Sequence, residues 1–71
     1  MKKYIIKFDE DYFLGCDDYG DFRIIDEWAE EDYKTAFDEA ELVDYLTDQN
    51  PKAKINYEFV QKFIDVFGVE V

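Results

Sequence analysis

Cys16 is the only cysteine in a chain of 71 residues, so no disulfide can form within the chain. The chain has no histidine either, which excludes a structural zinc site built from cysteines and histidines. A chain of this length buries only about 60% of its unfolded surface, and its core needs support from elsewhere. Seven Phe, six Tyr and one Trp can provide it, because large rings bury much apolar area per residue. We therefore expect a single domain over residues 1–71 that is stabilised by aromatic packing.

The first part of the chain carries the pattern of three β-strands joined by two short turns. Residues 2–8 alternate apolar with mostly polar side chains, and residues 12–16 and 21–28 are rich in aromatic or β-branched side chains. The polar segments 9–11 and 17–20 have the Asp and Gly content of turns. Because turns this short join antiparallel neighbours, the pattern predicts a three-stranded meander.

A first helix is predicted over about residues 39–49 by its start signal. Asp38 is a suitable N-cap, and Glu41, three residues later, completes a capping box. An Asn-Pro pair ends the helical pattern. Residues 29–36 fit a loop, a helical turn or a short edge strand, and these alternatives stay open.

A second helix is predicted over about residues 57–67. Asn56 is a suitable N-cap, and Gly68 stands where a left-handed glycine often ends a helix. Apolar side chains recur at helical spacing at Val60, Phe63, Ile64 and Phe67. The element order β-β-β-α-α predicts an α+β fold, with two helices packed on one face of a small three-stranded antiparallel sheet.

The net charge of −11 is concentrated in the middle of the chain. Residues 9–48 contain 16 acidic and two basic residues, whereas residues 49–71 contain three of each. Direct binding to DNA, RNA or an anionic membrane requires Lys and Arg, so these ligands are disfavoured. The charge favours a basic partner, and the self-repulsion that it causes contributes nothing to folding.

The predicted meander would bring residues 9–11 and 26–32 to one end of the sheet, which we call the near end. These two segments hold eight carboxylates and no basic residue. Aromatic side chains border them, and rings beside carboxylates suit arginine-rich surfaces. Trp28 is one of these rings, although in so small a protein a core position is its default. We predict that a partner binds at Asp9, Glu10, Asp11, Tyr12, Asp26, Glu27, Glu30, Glu31, Asp32 and Tyr33.

Catalytic and metal-binding functions are disfavoured by the residue types present. The chain has neither Ser nor His, so Ser–His and Cys–His nucleophilic pairs cannot be built. Cys16 is better explained as a small buried side chain than as a nucleophile. No register of the Asp residues matches a calcium-binding loop. We therefore predict that the protein is not an enzyme and uses no cofactor or metal.

In its size, acidity and aromatic content, the whole chain resembles the small acidic phage proteins that block host defence nucleases by mimicking DNA. Anti-CRISPR and anti-restriction proteins belong to this class. The resemblance implies an inhibitor that competes for the DNA-binding cleft of a basic protein in the cytoplasm of a bacterial host. An alternative is a small phage or plasmid regulatory module whose acidity mainly improves solubility.

Overall fold

The structure, a computed structural model, describes residues 2–26, 28 and 33–71. These residues form two helices and five short strands, and the predicted α+β class is confirmed. In chain order the elements are β1 (Tyr4–Ile6), β2 (Tyr12–Cys16), β3 (Phe22–Asp26), β4 (Ala36–Phe37), α1 (Glu39–Gln49), α2 (Tyr57–Phe67) and β5 (Gly68–Glu70).

Helix α1 begins with the predicted capping box. An Asp38 side-chain oxygen accepts a hydrogen bond from the backbone N–H of Glu41 at 2.9 Å. In return, the backbone N–H of Asp38 donates to a Glu41 side-chain oxygen at 3.2 Å. These two bonds satisfy backbone donors that the first turn of a helix leaves without partners. The observed bounds, Glu39–Gln49, agree with the prediction.

Helix α2 also has the predicted bounds, Tyr57–Phe67. The Asn56 side chain caps it by accepting from the backbone N–H of Phe59 at 2.9 Å. Val60 and Ile64 are the buried residues of its apolar face. This face packs against α1 and the sheets, which explains why a helix of 11 residues is stable here although isolated helices of this length are marginal.

The prediction that Gly68 ends α2 in a left-handed conformation is wrong. Gly68 has φ −89° and ψ 143°, which is extended backbone, and it is the first residue of β5. This position requires a glycine because a larger residue would clash with Ile64. A Cβ atom at this position would lie 2.8 Å from the carbonyl oxygen of Ile64 and 3.1 Å from its Cα atom. The chain therefore passes from helix to strand without an intervening turn.

Gly68→Ala is expected to lower the free energy of unfolding by about 1–3 kcal/mol, the usual cost of overpacking. The new methyl group would meet the Ile64 side chain and also the Ile64 backbone, and the α2 backbone cannot move without disturbing the helix. Gly15→Ala is the control, because its Cβ would meet only the Ile25 side chain, at 2.9 Å, and a side chain can adjust. Urea unfolding of both variants tests this, and equal losses would contradict it.

The prediction of a single three-stranded meander is also wrong. β1 is the central strand of one sheet, with the order β4-β1-β5, and β2 and β3 form a separate antiparallel hairpin. Residues 34–37 cause the difference, because they occupy the edges along which β1 and β2 would have paired. Ala36 pairs with Ile5 of β1, while Lys34 exchanges two backbone hydrogen bonds with Cys16 of β2, both 2.9 Å.

Among the described residues, ladder pairing between β2 and the segment around β1 is therefore limited to an isolated bridge between Lys7, which directly follows β1, and Phe13. The segment 29–36, for which three alternatives were open, is extended at its C-terminal end, where it joins the two sheets. Residues 29–32 of that segment lie outside the described part of the chain.

One hydrophobic cluster is shared by both helices and both sheets. Its buried members are Tyr4, Ile6, Leu14, Phe37, Leu42, Tyr45, Leu46, Val60 and Ile64. A chain of aromatic contacts extends it, since Tyr45 lies 5.2 Å from Phe22 and 6.3 Å from Phe63 between ring centroids. The expected reliance on aromatic packing is thus visible in the core. Trp28 is an exception, because it is 80% exposed and not a core residue.

Candidate partner-binding surface

The turn between β1 and β2 places three carboxylates at the near end. Its backbone is closed by the N–H of Phe8, which donates to the carbonyl of Tyr12 at 2.9 Å. Tyr12 then pairs with Asp26, the last residue of β3. The structure therefore brings together Asp9, Glu10, Asp11, Tyr12 and Asp26, as the sequence predicted, even though the meander that motivated the prediction is absent.

The remaining predicted residues divide into two groups. Four of them lie outside the residues that the structure describes: Glu27, Glu30, Glu31 and Asp32. Tyr33 does not lie at the near end, and this part of the prediction is wrong. The next residue, Lys34, is bonded to Cys16 at the opposite end of β2. The strand pairing thus carries the chain away from the near end before it reaches Tyr33.

The described near-end carboxylates are exposed and form no ion pairs with described residues. Asp9, Glu10, Asp11 and Asp26 all face solvent, and none of them forms an ion pair with any described residue. The nearest base along the chain is Lys7, which lies just outside the segments 9–11 and 26–32. Its ammonium lies over the ring of Phe13, 5.7 Å from the ring centroid. One cation therefore borders this end without pairing with its acids.

Two exposed aromatic residues accompany these acids. Tyr12 is 48% exposed and Trp28 is 80% exposed. The backbone N–H of Trp28 donates to a side-chain oxygen of Asp26 at 3.1 Å, which ties Trp28 to the end of β3. Ile24 is 63% exposed and belongs to the same hairpin, although it was not among the predicted partner-binding residues. Its assignment to a strand gave no signal that its side chain would remain uncovered.

At the opposite end of the hairpin, Asp17 has a structural role. One of its side-chain oxygens accepts from the backbone N–H groups of Tyr19 and Asp21, at 3.0 and 2.9 Å. The other accepts from Arg23 Nε at 3.1 Å. The bond from Asp21, and then the bonds from Arg23 and Tyr19, hold the pKa of Asp17 below its ordinary value. Gly20, with φ 84°, completes the turn.

Asp17→Asn is expected to lower the melting temperature at pH 7 but to have a shrinking effect as the pH falls towards 3. The pKa of Asp17 is lower in the folded state than its ordinary value of 3.8, so its charge stabilises the fold above that pH. This stabilisation is lost as the pH falls through the folded-state pKa. Asp18→Asn is the control, since Asp18 is exposed and outside this hydrogen-bond network. A loss that is the same at both pH values would show that charge is not involved.

Two further charged or reactive side chains, those of Lys34 and Cys16, lie where residues 34–37 connect the two sheets. Lys34 forms an ion pair with Glu41 of the capping box, and this hydrogen bond raises the pKa of Lys34. Cys16 is half-buried, and partial burial followed by the charge of Asp17 raises the pKa of its thiol. The thiol is therefore protonated at neutral pH, in the form that is a poor nucleophile.

The described part of the near end presents a charged and aromatic surface. Among its residues, no group of three or more potential ligands is placed to hold a metal ion. Neither described helix is long and apolar enough to cross a membrane. The side chains described at the near end offer carboxylates and exposed aromatic rings. The chain matches no known family model, no curated protein and no solved structure.

Proposed function

We propose that this protein is an inhibitor that occupies the basic nucleic-acid-binding site of another protein by mimicking DNA. The observation that supports the proposal most is the near end, where four described carboxylates are exposed without ion-pair partners beside two exposed aromatic rings. Four more carboxylates follow at residues 27–32 in the sequence. Packing gains nothing from this crowding of like charge, and binding to a basic cleft would use it.

The strand geometry is suited to this role. Asp26 ends β3 directly opposite Tyr12, the first residue of β2, and neighbouring strands lie about 4.8 Å apart. Duplex DNA carries about one charge per 1.7 Å of axis, and proteins neutralise it with Arg and Lys. The carboxylates at positions 9–11 lie on the turn that leads into β2, and a backbone hydrogen bond closes this turn. They would meet those side chains with little loss of backbone freedom, because the turn is already ordered.

A second candidate is a protein-interaction or regulatory module whose acidity mainly keeps it soluble. It is favoured by exposed acids elsewhere in the described residues that also lack ion pairs, among them Asp18, Asp44, Asp48 and Asp65. These acids are scattered over the hairpin turn and the helices. In this alternative, binding would depend on an apolar interface and would change little with salt.

The two candidate functions predict different responses of the bound partner to salt and to duplex DNA. The tagged protein would be incubated with a bacterial lysate, which is the proposed cellular setting, and captured proteins would be eluted with rising salt or with duplex DNA. The inhibitor proposal expects release by about 0.3–0.5 M salt, because screening weakens exposed charge pairs, and release by DNA at low salt. A captured protein that withstands both would contradict it.

A direct assay follows once the captured protein is purified. Its binding to a labelled DNA duplex would be measured with increasing amounts of the acidic protein. Competition at a shared site raises the apparent Kd for DNA in proportion to the inhibitor concentration. Simultaneous binding of DNA and protein would exclude the mimic and would favour the regulatory module.

A further inference from the structure

The side of the β2–β3 hairpin that faces the core is only partly covered by the core. Residues that pair across two antiparallel strands point to the same face. Near the hairpin turn, the pair Cys16 and Phe22 packs against the core. In the next pair on this face, Leu14 is fully buried, but its partner Ile24 is 63% exposed. The covered part of the face therefore ends midway along the hairpin.

Beyond that point the same face presents Tyr12, Ile24 and Asp26, which we call the hairpin patch. Tyr12 pairs directly with Asp26, and Ile24 precedes Asp26 by two residues on β3. Directly paired residues have Cβ atoms about 5 Å apart, and diagonal neighbours lie about 7–8 Å apart. An exposed ring, an exposed aliphatic side chain and a carboxylate are thus adjacent on one face of the hairpin.

We infer that the hairpin patch binds an arginine side chain of the partner protein. The inference rests on the proposed function, and it names the partner residue that the near end holds. A guanidinium can stack on the Tyr12 ring while its N–H groups donate to the Asp26 carboxylate. The aliphatic stem of the arginine would cover Ile24. The Asp26 carboxylate forms no ion pair with any residue that the structure describes.

The composition of the patch favours arginine over lysine. A guanidinium is planar and weakly hydrated, so it loses little on leaving water for a ring and an aliphatic surface. An ammonium is a compact and strongly hydrated charge that gains little from either. The neighbouring acids at positions 9–11 attract both cations equally, because their charge acts without regard to shape. Selectivity would therefore come from Tyr12 and Ile24, and general attraction from the acids.

Trp28 allows a direct test, since it is the only Trp of the chain and its backbone N–H is bonded to Asp26. The full-length protein would be titrated with acetylated, amidated hexa-arginine and hexa-lysine at one fixed moderate salt concentration. Binding would be followed by Trp28 fluorescence and by the anisotropy of labelled peptides. The arginine peptide is expected to bind about two- to fivefold more tightly, as a cation–π contact at a partly exposed ring allows. Equal affinities would overturn the inference.

The variants Tyr12→Thr and Ile24→Thr should each weaken the binding of hexa-arginine and leave the affinity for hexa-lysine unchanged. The ratio of the two affinities should therefore fall towards one. The matched control is Tyr19→Thr, because Tyr19 is 92% exposed and lies among acids at the other end of the same hairpin. Melting temperatures close to that of the parent would show that the variants fold. A loss of preference in the Tyr19 variant as large as in the Tyr12 variant would overturn the inference.

The peptide test and the DNA-competition test can fail separately. Selective arginine binding with no DNA-competed partner would keep the hairpin patch and remove the mimic. A DNA-competed partner with no preference for arginine would keep the mimic and remove the role of the hairpin patch.

Discussion

Phe37→Ala is expected to lower the free energy of unfolding by about 3–5 kcal/mol, the usual cost of truncating a buried Phe. Phe37 is fully buried and links three parts of the fold. It pairs with Tyr4 in β1, and its ring centroid lies 5.8 Å from that of Phe22 in the hairpin. It also directly precedes the N-cap of α1. A domain of this size has a total stability of about 4–11 kcal/mol, so the variant would lose a large share of it.

Urea unfolding measures the loss of stability, and circular dichroism would show loss of the fold if the variant does not fold at all. Phe63→Ala is the informative comparison, because the same apolar side chain is only half-buried at that position and should cost less. Tyr19→Ala, at a 92% exposed position, should change stability by no more than about 0.5 kcal/mol. If Phe37→Ala were no more destabilising than Phe63→Ala, the junction between the sheets would not be the centre of the core.

Neutralising the described near-end acids is expected to weaken binding to the basic partner by about 100-fold or more. The variant combines Asp9→Asn, Glu10→Gln, Asp11→Asn and Asp26→Asn. It removes four charges that would each lie against a partner cation, and 100-fold corresponds to about 2.8 kcal/mol in total. All four side chains are exposed, and Asn at position 26 keeps an oxygen for the Trp28 N–H. The fold should therefore remain intact or become slightly more stable as repulsion falls.

The matched control removes the same number of charges elsewhere, through Asp18→Asn, Asp44→Asn, Asp48→Asn and Asp65→Asn, all at exposed positions. It should weaken binding less than about fivefold, mainly through a slower association rate, because net charge governs encounter and local contacts govern dissociation. Surface plasmon resonance with the purified partner separates the two rates. Equal losses from both variants would leave only diffuse electrostatics and would remove the near end as a docking surface.

Helix bounds could be predicted from the sequence because their signals lie within a few residues of each other. Asp38 and Glu41 bond to each other across one helical turn, and Asn56 bonds three residues ahead. The same holds for the β2–β3 hairpin, whose turn is closed by Asp17 and Gly20. Because Asp26 pairs with Tyr12 by counting back from that turn, most of the described near end was predictable without the rest of the fold.

Sheet partners could not be predicted in this way, because the edge of a strand will pair with any extended segment that reaches it. β1 could have paired along its length with β2, its neighbour in sequence, but it pairs with Ala36–Phe37 on one side and with Gly68–Glu70 on the other. This choice accompanies the burial of Phe37, Val60 and Ile64 around one cluster. The prediction for Tyr33 failed for the same reason, since Lys34 is held at the other end of β2.

The sequence by itself determined the elements and the acidic character of the near end, since caps, turns, periodicity and charge are properties of short segments. The tertiary structure decided which strand edges are paired and which side chains stay uncovered. Trp28 and Ile24 are residue types that are usually found in a core, yet they are 80% and 63% exposed. Among the described residues, the core of nine buried side chains ends before it reaches that part of the hairpin, and the size of a core depends on how all elements pack together.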